Sequence, residues 1–359
     1  MNTQHMILGS KREIQQKGLI RYMNNSKTEI QQKGLIRYIN NSKTEIQQKG
    51  FIRYVNNSKT EIQQKGFIRY VNNPTKTSYM HNTTYYVCAG TNGRLGNQLY
   101  VFASAYGIAK RSGMKLVVAL RPNILSETFQ IEGAFETDWG LCKAAKFING
   151  NKCCQVANHA YKIRLNSTVY VSGYLQSFKY FTEYNEEIRK YLTFKDRILR
   201  TAKTKLTTLL TKKYGQNHRN RTLIGIHIRR GDYLRPGKQE FGYKVPSEEY
   251  FYKAQQYMEK RYNDITYLAC SNDLIWTNNT FRGQRDVIVV PKDSAAVDLA
   301  LLSLLDHMIM SVGTYSFWAA WFINGTTVYY KNFTLPNSDF AREFDKDKQD
   351  AIPPHWIGF

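Results

Sequence analysis

Short apolar runs and amphipathic stretches alternate along the chain in two separate series. In the first, Tyr85–Ala89 (YYVCA) is a continuous apolar run of strand length, followed by the glycine-rich turn Gly90–Gly96. Asn97–Ser112 then repeats apolar residues at helical spacing, and Lys115–Leu120 (KLVVAL) is a second short apolar run. Strand, turn, helix and strand in this order predict the opening of an α/β domain. The second series begins after a basic, Thr-rich helix candidate near 194–214. Leu223–Ile228 (LIGIHI) reads as a strand, and Ser247–Arg261 as a helix with Ser247 as N-cap and Glu248 and Glu249 in its first turn. Ile265–Cys270, Val287–Val290 and Thr327–Tyr330 are further strands, separated by helices at 272–280 and 294–305. Two doubly wound domains facing each other are therefore expected, at 85–215 and 216–359, with ligands at the carboxyl ends of their strands.

The first 84 residues follow another rule. After a leader at 1–9, residues 10–73 are four copies of a 16-residue unit, from SKREIQQKGLIRYMNN to SKTEIQQKGFIRYVNN, and a Thr/Asn/Tyr-rich linker occupies 74–84. The apolar positions of the unit keep neither a 3.6 nor a 2.0 period, and Gly and Asn-Asn-Ser interrupt every copy. The composition favours a disordered or weakly ordered stalk, with a short-strand solenoid and a basic ligand-binding arm as the other readings.

This division changes the meaning of the charge. The 359-residue chain has 51 Lys and Arg against 28 Asp and Glu, a net of +23. The array holds +9 of it, which leaves +14 for the body. Such an excess suggests a polyanionic partner, yet no recognised nucleic-acid motif accompanies it and no nucleic acid is expected. With 42% hydrophobic residues the body has material for a true core.

The five cysteines (Cys88, Cys142, Cys153, Cys154, Cys270) show no metal spacing. Either two disulfides with one thiol left over or buried free thiols fit them. Several N-x-Ser/Thr sequons favour the secretory lumen, among them Asn24, Asn40 and Asn56 in the array, and Asn82, Asn166, Asn278, Asn324 and Asn332 as the independent glycosylation candidates. No apolar run at the N-terminus has the length of a signal peptide or anchor. The apolar stretch 299–323 contains Asp306 and His307 and is read as buried helix, strand and helix.

Chemistry concentrates in a few runs. In His227-Ile228-Arg229-Arg230-Gly231-Asp232-Tyr233, strand alternation puts His227 and Arg229 on one face and Ile228 and Arg230 on the other. Two guanidiniums at the carboxyl end of a strand suit a diphosphate; a solvated basic turn is the plainer alternative. Gly93-Arg94-Leu95-Gly96-Asn97-Gln98 could offer a helix N-terminus to an anion, or be an ordinary strand-to-helix turn. Ser271-Asn272-Asp273 ends a strand, the place for a ligand contact or a helix cap. Asp298 to His307 is an amphipathic helix bearing carboxylates.

Together, GRLGNQ at 93–98, HIRRGDY at 227–233, SND at 271–273 and DLALLSLLDHMIMSVGTYSFWAAW at 298–321 resemble the galactoside α-1,2-fucosyltransferase family, glycosyltransferase family 11, in content and in order. The resemblance covers roughly 85–359. It implies two facing Rossmann-like domains (GT-B-like) and inverting transfer of L-fucose from GDP-fucose to a galactose 2-hydroxyl of a glycoconjugate, with no cofactor and no metal. It also implies the residue roles. His227, Arg229 and Asp232 are the expected catalytic residues, with Arg229 on the diphosphate and Asp232 as either base or ion-pair partner. Arg230 would hold the loop beside the donor, Asp273 and Asp298 contact guanine or ribose, Ser316 contact phosphate, and Asn97 and Gln98 lie at the cleft. The family's Golgi location and membrane association are expected, although the repeats stand where its type II anchor lies, which a truncated or misassembled N-terminus would explain. The family's SWWGAW reads SFWAAW at 316–321, and apolar residues replace common polar ones around Met308–Gly313. These departures leave a non-catalytic GDP-sugar- or glycan-binding homologue as the alternative.

Overall fold

The computed structural model describes residues 83–359, apart from 91–92, 120–123, 151 and 217–219. Before them it describes only the backbone of eight short strands between Gln15 and Val71, paired antiparallel in chain order. The turns and side chains of the repeat array, the leader 1–9 and residues 74–82 lie outside the described residues, and with them the expected weakly ordered state.

The first half of the body is built on a four-stranded parallel sheet. Its strands are β1 (Tyr86–Gly90), β2 (Lys115–Ala119), β3 (Lys146–Asn149) and β4 (Val169–Ser172), in the order β2-β1-β4-β3. Helix α1 (Leu95–Ser112) crosses from β1 to β2 and is buried from Leu95 to Ala109 except at Asn97. Strands β3 and β4 were not expected from the sequence. Each is four residues long; β3 is an edge strand with an exposed surface, whereas β4 does carry the short apolar run Val169–Val171.

The second half is a six-stranded parallel sheet. It comprises β5 (Thr222–Ile228), β6 (Ile265–Ser271), β7 (Val287–Val289), β8 (His307–Met310), β9 (Thr327–Tyr329) and β10 (Ile357–Gly358), in the order β7-β6-β5-β8-β9-β10. Counted from its first strand this order is 3-2-1-4-5-6, the doubly wound arrangement whose crossovers reverse between β5 and β8. Strand β5 is buried from Ile224 to Ile228 because both sheet faces are covered, which is why it reads as an unbroken apolar run. The covering helices are α2 (Asp196–Tyr214), α3 (Glu248–Glu259), α4 (Leu274–Thr280), α5 (Ala295–Leu302) and α6 (Thr314–Ile323). The expected helix–strand–helix at 299–323 is thus the end of α5, then β8, then α6. Helix α2, which precedes the expected boundary at 215, packs on α5 of the second half. Its Lys213 Nζ donates to the Val287 carbonyl at 3.0 Å.

The two halves share one core across α1 and α6. A Cβ placed on Gly96 would stand 2.7 Å from both Thr314 Oγ1 and the Tyr315 backbone N, so only glycine permits the helix starts to come this close. Below that contact, the Tyr100 ring lies 4.8 Å from Phe317 and 5.3 Å from Trp318. Cys88–Cys142 ties β1 to the turn at 139–142, Cys153 is bonded to its neighbour Cys154, and Cys270 is a buried thiol. The structure thus takes the first of the two cysteine arrangements. No helix among the described residues is long and apolar enough to cross a membrane.

Gly96→Ala sets a clash costing about 1–3 kcal/mol against a helix-propensity gain of about 1 kcal/mol. The clash involves backbone, which cannot rotate away, so a net loss is expected and the thermal midpoint should fall by about 2 °C or more. Gly96→Val, with a bulkier branched side chain, should fall further. Unchanged melting of both variants would show that the two helices separate without cost.

Candidate functional site

A cleft of about 1590 Å³ opens where β5 and β8 end, walled on the other side by the start of α1 and the turn at Gly173. It lies at the topological switch point, where neighbouring crossovers leave a crevice outside the strand ends.

Arg229 follows the last residue of β5. Its backbone N–H donates to Ser311 Oγ just beyond β8 at 2.8 Å, so the two central strands fix its position together. The guanidinium donates to Asp232 Oδ2 at 2.6 Å. The same oxygen faces Arg94 Nη2, from the other side of the cleft, at 3.6 Å, and Asn272 Nδ2 donates to Asp232 Oδ1 at 3.3 Å. Asp232 is therefore engaged by two guanidiniums and an amide. Arg229, Asp232 and Arg94 all line the cleft.

His227 lies at the cleft floor, 7% exposed, with its ring against Tyr315. Its Nδ1 is 2.6 Å from Ser316 Oγ. That hydroxyl donates to the Val312 carbonyl at 2.9 Å, so it accepts from Nδ1–H and leaves Nε2 as the acceptor nitrogen. Burial, and secondarily the Arg229 charge, lowers the imidazole pKa to about 3. The ring is neutral.

Three of the expected donor contacts lie elsewhere. Arg230 turns to the opposite side of the strand end, as alternation predicts, with its guanidinium 4.4 Å from the Trp276 ring and 3.9 Å from Asp273. Asp273 caps α4 by accepting from the Trp276 N–H at 3.1 Å. Ser316, on α6, is fully buried against His227. None of the three lines the cleft. Asp273 spends its carboxylate on the start of α4, Ser316 its hydroxyl on His227 and the Val312 carbonyl, and Arg230 its guanidinium on Trp276 and Asp273.

Asp298, Asn97 and Gln98 do line it. Asp298 accepts from Lys205 Nζ of α2 at 3.0 Å and from the Asp293 N–H at 3.2 Å. Asn97 Oδ1 accepts from Thr314 Oγ1 at 2.8 Å, which joins α1 to α6. Gln98 Nε2 donates to the Gly93 carbonyl at 3.0 Å, and its buried Oε1 has no partner among the described residues.

Two contributions were not legible in the sequence. Helix α6 begins at Gly313, held at a φ of 93°, with no side-chain cap, and Gly313, Thr314 and Tyr315 line the cleft. Its unpaired N–H groups and dipole make an anion site beside Arg229. Arg94 stood inside the GRLGNQ run, but only the fold brings it opposite Asp232. Among the described residues no cluster of three His, Cys, Asp or Glu is placed to hold a metal ion. Of the glycosylation candidates, Asn166, Asn324 and Asn332 are exposed; Asn278 is exposed on α4 with its amide bonded to Leu274 O at 2.8 Å; Asn82 lies outside the described residues.

A parallel-stranded α/β body with arginines and an uncapped helix at its switch point is built to hold an anion. The model of glycosyl transferase family 11 matches residues 56–359, and the chain belongs to that family. Galactoside alpha-(1,2)-fucosyltransferase 1 of Homo sapiens is 29% identical over 279 residues, covering 74% of this chain and 73% of the relative. The protein of the same name from Leontocebus fuscicollis is 28% identical over the same length and coverage. Among solved structures, fucosyltransferase NodZ from Bradyrhizobium aligns with a TM-score of 0.45 at 17% identity, over 66% of this chain and 93% of that one. POFUT1 in complex with GDP aligns with a TM-score of 0.44 at 11% identity, over 68% and 98%.

The His227 pKa has a direct consequence for stability. Folding lowers it from the ordinary 6.5 to about 3, so the unfolded chain binds the proton first. The stabilising effect is complete above pH 6.5 and is lost as pH falls toward 3, at up to about 1.4 kcal/mol per pH unit. In urea titrations between pH 7 and 4, His227→Gln should flatten this slope; an identical slope in the variant would contradict a buried neutral imidazole.

Proposed function

We propose that the protein transfers L-fucose from GDP-fucose to the 2-hydroxyl of a galactose in a glycoconjugate, with inversion at the anomeric carbon, in a GT-B-like two-domain cleft. The observation that carries this reading is Arg229, anchored between β5 and β8 beside the uncapped start of α6. The relatives' names supply the sugar, the acceptor and the linkage.

The diphosphate would lie against Arg229, Arg94 and the N–H groups at Gly313–Tyr315, and the nucleoside would run toward Asn272 and Asp298 at the ends of β6 and α5. As the bond from the fucose anomeric carbon to the β-phosphate oxygen breaks, charge gathers on that oxygen and the sugar becomes oxocarbenium-like. The guanidinium and the helix dipole then bind the transition state better than the ground state, with no metal ion needed. The acceptor hydroxyl attacks the opposite face and gives up its proton. The Asp232 geometry supports orienting Arg229 as its role, of the two left open, and Arg230 and Asp273 hold the loop. Neutral His227 offers Nε2 as a hydrogen-bond acceptor at the cleft floor, and Asn97 and Gln98 set the opposite wall. Two disulfides support an oxidising compartment such as the Golgi lumen.

Of the two exchanged positions of the SFWAAW block, Ala319 is buried in the core away from the cleft, whereas Phe317 lines it.

Labelled GDP-fucose with a panel of β-galactosides tests this. Arg229→Ala should lower kcat by about 10²–10³, the usual loss for a transition-state charge donor. Arg229→Lys should recover only part, lacking the planar fork. Transfer should persist in EDTA. Absence of transfer to every acceptor by the unaltered protein would falsify the proposal.

A further inference from the structure

A second kind of surface continues the same cleft away from Arg229. The Arg229 guanidinium lies 5.4 Å from the Tyr233 ring, Tyr233 lies 4.5 Å from Tyr243, and Tyr243 stacks on Phe340 at 3.8 Å. This ladder of rings supports Phe241, 5.8 Å from Tyr243, which is 36% exposed. From the other half of the body comes Tyr174, 42% exposed, with no ring stacked on it among the described residues. Both rings line the cleft.

The backbone is bent to present Tyr174. Gly173 has a φ of 99° and Leu175 a φ of 50°, a left-handed conformation unusual for leucine. Leu175 is buried, and its carbonyl accepts from Ser104 Oγ of α1 at 2.7 Å, so the turn is held from beneath while the tyrosine faces outward. Strain kept at a cleft edge is a mark of a ligand site. A carboxylate completes the edge. Glu343 Oε2 accepts from the Cys153 N–H at 2.6 Å, and Glu343 Oε1 has no partner among the described residues.

Exposed aromatic faces in a concave site mark an unfilled contact. Their π-faces are electron-rich and attract the polarised C–H bonds on the apolar face of a pyranose, while a free carboxylate oxygen accepts from its hydroxyls. A purely apolar ligand would leave Glu343 desolvated and unpaired. These side chains share their cleft with Arg229, and a molecule receiving a group from the diphosphate site must stand in that cleft.

We propose that Tyr174 and Phe241 form a platform for a neutral hexopyranose of the acceptor, with the Glu343 carboxylate taking its hydroxyls. The identity of that sugar as a galactoside rests on the fucosyl-transfer reading. Saturation-transfer NMR with methyl β-D-galactopyranoside and with lactose, in the presence of GDP, should show saturation of the sugar C–H protons by the unaltered protein and its loss in Tyr174→Ala and Phe241→Ala. Acceptor KM should rise about tenfold for each variant, the scale of one lost aromatic contact, and recover in Tyr174→Phe. The KM for GDP-fucose and its slow hydrolysis in water should stay unchanged, which also shows that the variants fold. Galactoside saturation or acceptor KM unaffected by both alanine variants overturns the platform. So does a protein that binds GDP-fucose but never saturates a galactoside. A protein that binds no GDP-fucose defeats the transfer reading instead, and the NMR result then judges the platform by itself.

Discussion

Gly96 lets the first turn of α1 lie directly against the first turn of α6, and the rest of the cleft is arranged around that contact. With any side chain there, Thr314 and the backbone of Tyr315 would have to move. Because they need not, Asn97 reaches Thr314, and the rings of Tyr100, Phe317 and Trp318 interlock below. Two sheets that share no strand are thereby joined through one apolar seam. The same contact aims two helix N-termini into one crevice, so packing and electrostatics have a common origin.

The electrostatics of the cleft are a held balance. Asp232 occupies the guanidinium of Arg229, which would otherwise stand as an unpaired cation in a partly buried site, and also faces the largely exposed Arg94. A diphosphate offers the same guanidiniums more charge and more acceptor oxygens than a carboxylate. Its entry exchanges partners rather than creating an ion pair from solvated groups. Most of the body's excess positive charge lies away from this point, so the net charge of the chain is a poor guide to its partner, and the position of a few arginines a good one.

How much of this was visible in the sequence depends on the range of the interactions involved. Strand β5 and its basic end were legible because a strand buried on both faces must be continuously apolar and because alternation separates Arg229 from Arg230. The α5–β8–α6 run was legible for the same reason. Strands β3 and β10 were not: β3 is an edge strand with largely exposed side chains and β10 spans two residues. The apolar Val169–Val171 of β4 does carry a local signal. Among the site residues, the runs were legible and the contacts were not. Asp273 and Ser316 sit in the right places, yet a helix start and a buried imidazole nearby take their oxygens first. Arg94 and Tyr174 line the same cleft as Arg229 only because segments far apart in sequence meet there, which no local pattern records.

The neutral state of His227 fits this division of labour. Placed beside Arg229, an imidazolium would be a second fixed cation on the floor of the site. It would strengthen binding of the bound donor and of the released nucleoside diphosphate alike, since both keep their negative charge. Attraction shared by ground state, transition state and product does not speed the chemical step and delays release. A buried imidazole held in one tautomer by Ser316 adds direction without adding charge. On the reading proposed above, the charge that changes during transfer is left to Arg229 and the start of α6.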